Sequence, residues 1–191
     1  MKRHPLERSP SALLVVDVIN HFEFPGGPAL LRNAERVALA IARIMRRTRA
    51  ADVPVIYCND LFGQWRSDFR RLFDVCAAPA ARGQRFVRRM QPAPSDYFIL
   101  KPKHSAFFAT PLELLLQDLG VERLLVIGLA TDGCVLTTAL DGHARDYDIA
   151  IARDAVAAQS DARTRRALDL LRAASPIRVT ATRAAMRWLG V

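Results

Sequence analysis

Leu124-Leu-Val-Ile-Gly-Leu-Ala-Thr-Asp-Gly-Cys-Val135 is the stretch that decides how this 191-residue chain folds. It opens on apolar, strand-forming residues, breaks at Gly128, turns through small and polar residues, and reaches Cys134 as a helical pattern begins. Strand, tight turn and helix in succession are the unit from which covered parallel sheets are wound. Cys134 then falls in the first turn of a helix, past the carboxyl end of a buried strand. Backbone N–H groups and the helix dipole favour a thiolate there. The competing reading of such a cysteine is a small buried hydrophobe.

The same alternation extends to both sides. Apolar runs over Ala12–Val16, Val53–Cys58, Tyr97–Leu100, Leu124–Ile127, Ile149–Ala152 and Ile177–Val179 predict six strands. Helical spacing of apolar residues predicts helices over Pro28–Ala50, Phe69–Val75, Pro111–Leu119, Val135–Arg145, Asp161–Ala174 and Ala184–Leu189. The longest irregular region is Ala77–Asp96. Right-handed crossovers turn this order into a three-layer α/β/α doubly wound sandwich. Its six-stranded parallel sheet has the expected order 3-2-1-4-5-6, and ligands belong at the carboxyl ends of the strands. Residues 1–10 read as a flexible N-terminal arm and residues 11–191 as a single domain.

Composition narrows the function. Hydrophobic residues make up 51% and charged residues 25%, as in soluble globular proteins. No apolar run approaches the ~18 residues of a membrane span, and the polar start carries no signal-peptide core. A cytoplasmic protein without a membrane partner is expected. Three cysteines, Cys58, Cys76 and Cys134, have neither the pairing of a disulfide framework nor zinc-ligand spacing. The net charge of +9 comes from 28 Lys and Arg, of which only Lys2, Lys101 and Lys103 are lysine. Arginines spread over helix faces read as solvated surface, so no nucleic-acid partner is expected. The densest group is Arg82, Arg85, Arg88 and Arg89. No Gly-x-Gly-x-x-Gly or Gly-Lys-Ser/Thr loop follows a strand, and no cofactor is expected.

Attention therefore turns to the strand ends. Asp17 follows the first strand, Asn59 and Asp60 the second, Lys101 the third, and Cys134 the fourth. Carboxylate, amine and thiol thus reach one edge of one sheet. Asp17 can take the thiol proton as general base, and Lys101 can stabilise the thiolate. Backbone N–H groups of Ala130 and Cys134 can hold a developing oxyanion. The third strand lies two places from the first, about 10 Å at ~4.8 Å per strand, a span that a lysine largely bridges.

Three ordered segments resemble the isochorismatase-like cysteine hydrolases, the superfamily of nicotinamidases, N-carbamoylsarcosine amidohydrolases and ureidoacrylate amidohydrolases. They are Ala12-Leu-Leu-Val-Val-Asp-Val-Ile-Asn-His-Phe22, Asp96-Tyr-Phe-Ile-Leu-Lys-Pro-Lys-His-Ser-Ala-Phe107 and Val126-Ile-Gly-Leu-Ala-Thr-Asp-Gly-Cys-Val135. The resemblance implies an Asp17-Lys101-Cys134 triad and a Cys134 thioester. It also implies a non-proline cis peptide at Leu129–Ala130 and a homodimer or homotetramer. The expected reaction is cleavage of a C–N bond in a small amide, ureido or carbamoyl compound.

Nicotinamidases add a metal held by an Asp and two histidines after the second strand. Here Asp60 is present, but Leu61–Arg71 contains no histidine, and no metal is expected. Asn59, Phe62 and Trp65, with Phe107 from the third segment, are the expected substrate-binding residues. His21 is expected near the pocket as a hydrogen-bonding residue. A vinyl-ether hydrolase and a non-catalytic binding protein on the same fold are the alternatives. The first does not use a nucleophilic cysteine, and the second has no need of the triad.

Overall fold

In the computed structural model, residues 8–174 and 176–191 are described. The strands are β1 (Ser11–Val16), β2 (Val55–Asp60), β3 (Tyr97–Lys101), β4 (Arg123–Leu129), β5 (Asp148–Ala157) and β6 (Arg178–Thr180). The helices are α1 (Gly27–Ala50), α2 (Phe69–Cys76), α3 (Gln84–Arg89), α4 (Leu112–Leu119), α5 (Leu136–His143), α6 (Asp161–Ala174) and α7 (Thr182–Leu189). All strand pairs are parallel and the order is β3-β2-β1-β4-β5-β6, as the alternation predicts.

Alternate residues of each strand feed two cores. Leu13 and Val15 pack with Ile41, Ile44 and Leu189 from α1 and α7. Ala12, Leu14 and Val16 pack with Leu112, Leu116 and Leu171 from α4 and α6. β1 is buried along its whole length because helices cover both faces. Among the described residues, no helix is long and apolar enough to cross a membrane.

Several expectations need correction. The region Ala77–Asp96 is not wholly irregular: α3 inserts Phe86 and Val87 into the core. The arginine group stays on the surface, where Arg82 pairs with Glu23 at 3.2 Å and Arg88 donates to the Ala77 carbonyl. Residues 1–7 of the expected arm lie outside the described residues. Ser9 and Pro10, the last residues of that arm, are tied to the domain. The Ser9 N–H donates to Leu119, and the Pro10 carbonyl accepts from Glu122 and Arg123.

β4 and β5 shift register between Val126 and Gly128, where Ala152 to Ala155 of β5 oppose the single residue Ile127. After β4 the chain makes one π-helical turn over Thr131–Val135, closed by the Val135 N–H donating to the Ala130 carbonyl at 3.2 Å. Wide turns of this kind cluster at functional sites. Among the described residues there is no cis peptide bond, so Leu129–Ala130 is trans rather than cis. Trans is favoured by about 3 kcal/mol without proline. Gly128 at φ 115° and the π turn make the bend instead.

Candidate active site

β1, β3 and β4 deliver Asp17, Lys101 and Cys134 to one point. Asp17 sits in the left-handed region at φ 49°, where the chain leaves β1, and this aims its carboxylate across the strand ends. The carboxylate is fully engaged: Oδ1 accepts from the Asp60 N–H at 2.6 Å, and Oδ2 lies 2.9 Å from Lys101 Nζ. Lys101 is completely buried, and its Nζ also donates to Cys134 Sγ at 3.3 Å and to the Lys103 carbonyl at 3.2 Å. Asp60 Oδ2 completes the surroundings of the ammonium at 3.9 Å. Of the two lysines in the segment, it is Lys101 that reaches the thiol.

Every proton in this cluster is held tightly. Burial raises Asp17 above the usual carboxylate range, although Lys101 and the Cys134 thiol pull the other way. Burial would lower Lys101, but Asp17, Cys134 and Asp60 outweigh it and raise it. Cys134 is pushed up to about 12 by burial and then by the Asp17 carboxylate, against the pull of Lys101. This departs from the helix-start thiolate expected from sequence: burial and the Asp17 charge favour the protonated form of Cys134. The Ala130 carbonyl accepts from the Gly133 and Val135 N–H groups, which fixes the turn that carries Cys134.

The expected substrate contacts fare differently. Asn59 is fully buried, and its amide is spent on Ile19, accepting from that N–H at 3.0 Å and donating to that carbonyl at 2.8 Å. It fastens the segment after Asp17 to β2 and is not free for a ligand. Phe107 is also core, stacked on Tyr147 at 5.8 Å beneath the Arg145 guanidinium. Phe62 packs against the His21 ring at 4.5 Å, and Trp65 is 77% exposed. His21 spends Nδ1 on the Glu23 N–H.

Beside the cluster lies a groove of 590 Å³ whose lining includes Asp60, Pro102, His104, Phe108, Thr137 and Asp141; Asp60 and His104 are the side chains that link it to Lys101 and Cys134. His104 was not singled out in the sequence, yet its Nδ1 lies 3.6 Å from Cys134 Sγ. The only signal for it is its place three residues past the strand-end lysine.

Among the described residues, no three His, Cys, Asp or Glu side chains are grouped to hold a metal ion. Asp60 does not fit the role that the fold family would give it. Its Oδ1 accepts from the Phe62 N–H and its Oδ2 faces the Lys101 ammonium, which repels a second cation.

Fold and site together define a doubly wound α/β protein built around a buried Asp–Lys–Cys cluster at the carboxyl edge of its sheet. Residues 11–183 match the Isochorismatase domain. The chain belongs to the isochorismatase family of hydrolases. It is 37% identical over 156 residues to the uncharacterized isochorismatase family protein YaaI of Bacillus subtilis (strain 168), covering 82% of this chain and 85% of that one. It is 29% identical to the ureidoacrylate amidohydrolase RutB of Methylobacterium radiotolerans, over 74% of this chain and 65% of that one. Among solved structures it resembles an isochorismatase family protein from Desulfovibrio vulgaris with a TM-score of 0.76 at 27% identity. That match covers 95% of this chain and 99% of the other.

Proposed function

We propose that the protein is a metal-independent cysteine amidohydrolase that cleaves a C–N bond of a small amide, ureido or carbamoyl compound. The observation that carries this is the cluster at Cys134: Lys101 Nζ lies 3.3 Å from Sγ and 2.9 Å from the Asp17 carboxylate. Similarity to a ureidoacrylate amidohydrolase supports the substrate class.

The chemistry follows from the tight protons. Asp17, made more basic by burial, takes the thiol proton as Sγ attacks the carbonyl carbon. Lys101 keeps Asp17 charged until that moment and then offsets the charge arising on sulfur. The oxyanion forms against the Ala130 and Cys134 N–H groups, which need no reorganisation. Asp17 returns the proton to the departing nitrogen, leaving a Cys134 thioester for water to hydrolyse.

A panel of small amides and ureides, read by ammonia release and by the mass of the acylated chain, tests this reading. Turnover with an adduct on Cys134 is expected. Turnover that survives Cys134→Ala overturns it.

The pH profile gives an independent check. The base must be unprotonated, and its folded pKa is raised, so kcat/KM should fall on the acid side at a pH above 3.8, the ordinary Asp value. An acid limb at or below that value would remove Asp17 as the base.

A further inference from the structure

Two proton acceptors belong to the surroundings of Cys134 Sγ. Asp17 is buried, with its oxygens engaged by the Asp60 N–H and Lys101. His104 is exposed on the wall of the groove, with Nδ1 3.6 Å from Sγ. We propose that His104 is a second catalytic residue, the base that activates water for hydrolysis of the thioester and then returns the proton to sulfur. The proposal rests on the thioester reading given above.

The placement of His104 is built. On one side, the carbonyl of Lys103 accepts from Lys101 Nζ at 3.2 Å. On the other, Ser105 Oγ donates to Asp141 Oδ2 at 2.5 Å, and the Ala106 N–H donates to Thr138 Oγ1 at 3.0 Å. Thr138 and Asp141 belong to α5, the helix that begins directly after the turn carrying Cys134. The neighbours of His104 are thereby fastened to the triad lysine and to the nucleophile's own helix. Both flanks fix the backbone from which the His104 ring reaches to 3.6 Å from Sγ.

The two half-reactions call for different directions of proton transfer. In the first, the proton starts on sulfur, and Asp17, paired with the lysine that reaches Sγ, accepts it. In the second, the proton starts on a water molecule, which reaches the thioester from the groove. A neutral imidazole protonated at Nε2 has its Nδ1 lone pair free. As the water oxygen bonds to the thioester carbonyl carbon, Nδ1 takes a water proton. The tetrahedral intermediate collapses, the C–S bond breaks, and the electron pair goes to sulfur. The imidazolium then gives its proton to Sγ, restoring the thiol and freeing the acid. General base catalysis of this kind contributes about 10²–10⁴-fold.

p-Nitrophenyl acetate separates the halves, because its leaving group needs no proton and reports acylation by colour. The wild-type chain should give a burst of one p-nitrophenolate per chain, an acetyl adduct on Cys134, and slower steady turnover. In His104→Gln the burst should persist while deacylation falls about 100-fold. Hydroxylamine attacks the thioester without a base and should restore turnover in the variant far more than in wild type. Deacylation at the wild-type rate in His104→Gln overturns the role of His104 alone. A burst slowed as much as turnover, with no hydroxylamine rescue, also overturns it, since that marks a structural contribution. A wild-type chain that never acquires acetyl on Cys134 overturns the thioester reading and this inference with it.

Discussion

Asp17→Asn should abolish hydrolysis and at the same time make Cys134 easier to alkylate. The two effects diverge because Asp17 plays opposite parts in them. For turnover it is the proton acceptor, and an amide of the same shape accepts no proton from a thiol. A loss of about 10⁴-fold in kcat is the scale seen when a positioned carboxylate in a nucleophile–base array becomes an amide. For the resting thiol, Asp17 is a negative charge that holds the proton on sulfur. With Cys134 at about 12, thiolate at pH 8 is roughly one part in 10⁴. Removing that charge while Lys101 stays lowers the thiol's affinity for its proton. Each unit of decrease raises the thiolate fraction tenfold.

Iodoacetamide labelling of Cys134 at pH 8 should therefore be slow in the wild type, about tenfold or more faster in Asp17→Asn, and slower still in Lys101→Met. Labelling that is unchanged or slower in Asp17→Asn overturns the account of the raised thiol. The substitution also strands a fully buried ammonium, and breaking such a pair costs about 3–5 kcal/mol. Asp60, 3.9 Å from Nζ and partly solvated, compensates in part and places the cost at the lower end. For a chain of this length that is a fall of roughly 6–12 °C in Tm. Calorimetry on the same variant reads it directly.

The sheet order and the Asp17, Lys101 and Cys134 cluster are legible in the sequence for one physical reason. Strands covered on both faces are unbroken apolar runs, so an ionisable residue at their ends stands out, and parallel winding brings those ends together. What stays hidden depends on how loops meet. Asn59 has the chemistry of a ligand contact, but its amide is matched to the Ile19 peptide across the loop after β1. Phe107 follows the lysine segment, yet the Tyr147 ring draws it into the core. His104 comes to Cys134 only because the Ser105–Asp141 and Ala106–Thr138 bonds fold its loop onto α5. No local spacing announces those bonds. The state of the thiol is hidden for a related reason: the helix start argues for thiolate, while burial and Asp17 argue the other way and win.

Gly128→Ala should cost most of the fold's stability although it adds one methyl group. Gly128 has φ 115°, a conformation that L side chains rarely adopt. A Cβ there would lie 2.1 Å from the Val16 carbonyl oxygen and 2.9 Å from the Val16 nitrogen. Both atoms are backbone of β1, which is buried and paired on both edges, so no flexible side chain can give way. Relief requires β1 and β4 to part where Val16 pairs with Gly128, which is also where the ladder to β5 changes register. Asp17 follows directly on one strand, and the turn to Cys134 follows on the other. Overpacking and backbone strain here act together, and a cost above about 4 kcal/mol belongs to the exceptional class. Against a total stability of about 5–15 kcal/mol, that leaves a chain that is largely insoluble or melts far below the wild type. Where folded material is recovered, it should lack hydrolysis, because the β1 and β4 ends no longer hold carboxylate and thiol in register. A Gly128→Ala chain that melts within a few degrees of wild type and keeps its turnover would show that this close approach is not what sets the site.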